Sequence, residues 1–183
     1  MMCVLVTLIL GIPPLRADGL DGRFEVRSAD LDLKDGVYHL NVRLDLPIGD
    51  AVRRGLAEGV PLTVELHLDI ERVRQLWPNS HVAELTQRYH LQYNAVSARY
   101  ILRNDNSGQQ ESLGSVDAAI EQLSEIRGLP VLDKALLSPD RRYEASVRAK
   151  VDYGTVPFSL RVVMFWVNDW HRESDRYTWT LQP

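Results

Sequence analysis

In three separate segments of this chain apolar and polar side chains alternate residue by residue, and that period of two commits most of it to β-strands. Tyr38, Leu40, Val42, Leu44 and Leu46 alternate with His39, Asn41, Arg43 and Asp45. Val64, Leu66, Leu68 and Ile70 alternate with Glu65, His67, Asp69 and Glu71, and the series from Tyr143 by twos to Tyr153 alternates with Arg142, Glu144, Ser146, Arg148, Lys150 and Asp152. Each strand then has one apolar and one wet face, as antiparallel strands over a single core do.

The stretch "RYHLQYNAVSARYILRNDNSG" at residues 88–108 follows the same rule. Tyr89, Leu91 and Tyr93 share a face, Ala98, Tyr100 and Leu102 resume it after Asn94-Ala95-Val96-Ser97, and Asn106-Ser107-Gly108 makes the next turn. We read a three-strand meander whose tyrosines are amphipathic core residues. In the first strand, residues 24–33, the parity changes between Val26 and Ala29, which points to a bulge or a break there.

Helical spacing interrupts the strands. Ser115 caps a segment with Asp117 in its first turn, apolar residues at Val116, Ala119, Ile120, Leu123 and Ile126, and Gly128-Leu129-Pro130 as its stop. Residues 50–58, ended by Gly59, form a shorter helix with Val52 and Leu56 inward, and residues 133–137 one more turn. Residues 157–167 stay open between a helix begun at Pro157 and a buried strand. Tyr177, Trp179 and Leu181 alternate as a last strand. Seven or eight short strands with two or three short helices in the connections imply a mainly β, antiparallel β-sandwich of immunoglobulin-like type.

The start differs from the body. An apolar run over residues 3–10, two prolines and Arg16-Ala17 read as a secretory signal over residues 1–17, with a single domain over residues 18–183. An uncleaved anchor is the alternative, although the run is about half the roughly 20 residues a spanning helix needs. Cleavage would remove Cys3, the only cysteine, so packing alone would stabilise the domain in an oxidising periplasm. Losing Arg16 leaves 20 basic residues of the original 21 against 25 acidic, a charge near −5 that invites no nucleic acid.

Several segments then resemble one family together: "FEVRSADLDLKDGVYHLNVRLDL", "LTQRYHLQYNAVSARYILRNDNSG", "IRGLPVLDKALL" and "DRYTWTL". They are similar to a proteobacterial family of exported proteins, a domain of unknown function, over residues 24–181. The resemblance implies an association with NtrY-like sensor histidine kinases and hence an envelope partner; it implies no catalytic residue.

Motifs for chemistry are sparse. No GxSxG elbow, SxxK or glycine-rich phosphate loop occurs, which argues against an enzyme. His39, His67 and His90 lie on wet strand faces, and Glu65 and Asp69 share that of His67, a set that could gather a metal if the strands were neighbours. No histidine pair has HxH or HExxH spacing, so the reading is no metal and no cofactor. Among the basic residues only Lys34, Lys134 and Lys150 are lysines; arginines such as Arg43, Arg88, Arg99, Arg103, Arg142 and Arg148 suit cross-strand pairing or a protein-binding face.

The aromatic tail supplies the candidate binding residues: Trp166, Trp170, His171 and Arg172, of which Trp170 sits in a polar stretch. The expectation is therefore a non-catalytic envelope binding module, with a small-ligand (sugar or lipid) binding protein as the alternative class and a hydrolase third. Membrane association would follow only from an uncleaved start.

Overall fold

The computed structural model describes residues 23–153 and 171–183. The leader expected over residues 1–17, the run at 157–167 and the side chains of Trp166 and Trp170 lie outside the described residues. Those described form a mainly β structure with antiparallel pairing throughout and two α-helices.

The smaller sheet has three strands in the order β1 (Glu25–Lys34), β2 (Val37–Asp45) and β7 (Glu125–Asp133). The parity change foreseen in β1 is a register shift between Val26 and Ser28, which lets both Val26 and Ala29 face inward. The turn into β2 carries Asp35 and Gly36 at positive φ.

The larger sheet runs β10 (Tyr177–Leu181), β8 (Tyr143–Tyr153), β3 (Leu62–Arg72), β4 (Ser80–Asn94), β5 (Arg99–Asn104) and β6 (Gln110–Leu113). The short β9 (His171–Glu173) also pairs with β8, beyond the end of β10. Strands β4, β5 and β6 are the meander read from the tyrosines, and Tyr93 meets Tyr100 with ring centroids 5.0 Å apart. Asn94 and Asn104 each fold their side-chain oxygen onto two backbone N–H groups of the turn that follows, fixing both connections.

Helix α1 (Asp50–Ala57) carries the chain from β2 to β3, with Val52 and Leu56 buried and Gly59 at φ +89 after its end. Helix α2 (Val116–Ser124) begins as expected, the Ser115 hydroxyl accepting from the Ala118 N–H at 3.1 Å. It ends sooner than Gly128-Leu129-Pro130 suggested. Those three residues lie within β7, where Gly128 takes φ +64 at a register shift opposite β2. Because β7 is an edge strand, Pro130 needs no ladder N–H there.

The inward faces of both sheets and both helices feed one buried cluster, including Leu40, Leu56, Leu66, Ile70, Leu91, Leu123 and Val147. The alternation of β3 and β8 is therefore realised: even positions 62–70 and odd positions 143–153 are buried.

Candidate functional site

Strands β3 and β4 are joined by residues 73–79, "VRQLWPN". The base of this loop is tied down: the Val73 N–H donates to the Arg142 carbonyl at 3.0 Å, and the Asn79 amide donates to Glu71 at 3.3 Å. The tip then has no core to enter, since Leu76 is 91% and Trp77 74% exposed, with Val73 also open to water. Burying such side chains is worth about 1.5–3 kcal/mol each, so leaving them out is a cost that a partner can recover.

Around this tip, Arg72, Arg74, Arg141, Arg142 and Asp140 line a depression of about 680 Å³. Several arginines elsewhere are engaged. Arg43 holds Glu125 at 2.9 Å, Arg88 holds Glu65 at 2.7 Å, Arg103 holds Asp105 at 2.8 Å and Arg148 holds Glu173 at 2.6 Å. Arg99 instead donates to the Ser112 carbonyl and hydroxyl. Among the described residues Arg72, Arg74 and Arg142 form no ion pair, which leaves their guanidinium groups available to outside carboxylates.

The histidines fall in different places. His39 lies on β2, in the smaller sheet, while His67 and His90 lie on β3 and β4 with Thr86 and Thr63 as their direct cross-strand partners. What gathers around His67 is Asp69 at 3.2 Å, Glu84 at 3.4 Å and the Thr86 hydroxyl at 3.0 Å. His81 comes within 4.0 Å of Asp69 from the other strand.

A second concavity lies between the two sheets, a groove of about 450 Å³. Its walls carry the amides of Gln87, Asn104, Asn106 and Gln122 beside Tyr89 and Leu129. It is open and amide-rich. The apolar cavity that would suit a lipid is not what these side chains form.

Of the expected tail residues, the described part includes only the β9 end. The backbone of His171 pairs with Asp152 and that of Arg172 with Val151. Arg172 is half-buried on the inward side, where its charge acts on the Tyr153 phenol; burial nonetheless holds that phenol well above its ordinary value. Trp179 is half-buried too, stacked at an angle near Tyr177.

Residues 21–180 match a family described as a domain of unknown function, DUF4390. The chain belongs to that family. No curated protein and no solved structure matches the chain. The matched span of this DUF4390 domain takes in the Trp77 loop, the His67 cluster and the groove alike, so the family fixes none of them as the functional centre.

Sequence reasoning passed over the Trp77 loop because a loop has no periodicity to break. The available signal was a tryptophan placed next to proline, within a connection between two clearly alternating strands and flanked by Arg72 and Arg74. His81 and Glu84 were not grouped with His67, because their spacing of three does not belong to one face of a regular strand.

Proposed function

We propose that this DUF4390 domain is a non-catalytic binding module of the bacterial envelope, exported to the periplasm, and that it engages an acidic surface of another envelope protein through the β3–β4 loop. One observation carries the reading: exposed Leu76 and Trp77 stand beside Arg72, Arg74 and Arg142, which form no ion pair among the described residues, while the neighbouring Arg141 holds Asp140 at 3.4 Å. Tryptophan and arginine are the residues that dominate protein–protein hot spots, the first by buried area and the second by bidentate carboxylate contacts. The association with sensor histidine kinases that the sequence resemblance implies names one such partner, whose periplasmic portion would meet the loop. The layering that presents the loop is read as a β-sandwich, supported by the shared core of the two sheets; the immunoglobulin-like form rests on strand number alone.

Small-ligand binding is the second reading, favoured by the amide-rich groove between β4, β5 and β7, whose paired donors and acceptors suit a sugar rather than a lipid. The two readings separate in one experiment. Envelope extract is passed over the immobilised domain and over its Trp77→Ala and Gln87→Ala variants. Loss of a captured protein with Trp77→Ala alone supports the loop; capture unchanged by Trp77→Ala removes its support.

A further inference from the structure

We propose that His67, Asp69 and Glu84 form a binding site for a divalent transition-metal ion, with Zn²⁺ the first choice, on the outer face of the larger sheet. His67 and Asp69 are two apart on β3 and so share a face, and Glu84 is the direct cross-strand partner of Asp69 on β4. Their ligand atoms all lie within 4.8 Å of one another.

Two of the three separations are those a metal needs. Bonds of about 2.0–2.2 Å in a tetrahedron place neighbouring ligand atoms roughly 3.3–3.6 Å apart. His67 Nε2 stands 3.2 Å from Asp69 Oδ2 and 3.4 Å from Glu84 Oε1.

The supporting groups point the same way. With Nε2 as ligand, the neutral imidazole keeps its proton on Nδ1 and donates it to the Thr86 hydroxyl 3.0 Å away, which fixes ring and tautomer. The Asp69 side chain is only 18% exposed, so this carboxylate is held in place rather than free to swing. Asp69 and Glu84 are like charges directly opposite on paired strands, an unfavourable arrangement that a cation between them reverses. Arg148, opposite His67 on the other side of β3, does not serve as that cation because it is bound to Glu173.

A bulge completes the arrangement. The pairing of β3 with β4 shifts between Ile70 and Glu71, so Val82 is the extra residue and His81 is turned onto the face of Glu84. This puts His81 Nδ1 4.0 Å from Asp69 Oδ1, beside the three ligands. The set is one imidazole and two carboxylates with a position left for water, a donor mixture suited to Zn²⁺ and its neighbours in the first transition row.

The test uses the untagged, chelator-treated full chain titrated with Zn²⁺ in a calorimeter, with Co²⁺ absorbance as a second readout. One ion per chain is expected, with binding lost in His67→Ala and in Glu84→Gln and unchanged in His90→Ala. Thr86→Val should weaken it about tenfold, the usual effect of removing an outer-shell partner. The exposed Glu84→Gln serves if His67→Ala fails to fold. Absence of saturable binding overturns the proposal. So does binding that survives both ligand substitutions, which would mark the cluster as an ion-paired surface only.

Discussion

Asn41 on β2 accepts the backbone N–H of Gly128 on β7 at 2.9 Å. Its amide nitrogen donates to Asp30 at 2.9 Å and Asp32 at 3.0 Å on β1, so one side chain stitches all three strands of the smaller sheet. Gly128 reaches that bond because it adopts φ +64, which side chains with a Cβ rarely take.

Two substitutions test the stitch. Since Asn41 is half-buried and Gly128 exposed, water can replace part of what is lost, and Asn41→Ala should cost about 1 kcal/mol. A Cβ at Gly128 would meet no atom within 4 Å, so Gly128→Ala should cost the backbone term alone, about 1–2 kcal/mol. Denaturant unfolding gives both numbers; no loss from either would show that the bulge is not held by this bond.

The phase of β3 can be checked at adjacent residues. Leu68 is buried and Asp69 lies on the opposite face. Leu68→Ala should lose about 2–5 kcal/mol by leaving a cavity. In metal-free buffer Asp69→Asn should change stability by less than about 1 kcal/mol. Comparable losses would contradict the assignment of faces.

Alkaline pH should weaken the fold through tyrosines. Burial raises the Tyr153 phenol well above its ordinary value of 10.0, with Arg172 pulling the other way, and burial likewise raises Tyr89 against an opposing hydrogen bond from Asn104. In the unfolded chain these phenols lose protons near pH 10 while the native ones keep them. The unfolded state is therefore favoured as pH rises beyond that value, and stability present below it is lost above it. Urea midpoints for the wild type should fall between about pH 9 and pH 11, and Tyr153→Phe should flatten part of that fall. An unchanged slope in Tyr153→Phe would assign the loss to other groups.

Strand phase was legible in the sequence because a half-buried sheet repeats its rule many times: Val26 and Ala29 even disclosed the bulge between them, and the tyrosines from Tyr89 to Tyr100 disclosed the meander. The stop at Gly128-Leu129-Pro130 was misread for a physical reason. Glycine at positive φ followed by proline ends a helix, but the same pair also makes a bulge on an edge strand, and only the neighbour Asn41 distinguishes them. The His67 cluster was half legible. His67 and Asp69 share a face by period two, whereas Glu84 depends on strand register and His81 on the extra residue Val82, neither of which local spacing encodes. The Trp77 loop needed exposure, which composition does not disclose.

The binding role rests on the Trp77 loop, and β4 supplies an internal control for it. Trp77 stands just before β4 and Val96 just after it, both exposed, at opposite ends of a 15-residue strand about 50 Å long. A photo-crosslinking amino acid placed at position 77 or 96 in living cells compares the two ends directly. Position 77 should capture a discrete envelope protein, and replacing Arg72 and Arg74 by glutamate should abolish the product, while position 96 yields none. Equal crosslinking from both positions, or a product at 77 indifferent to the arginines, would contradict the docking surface.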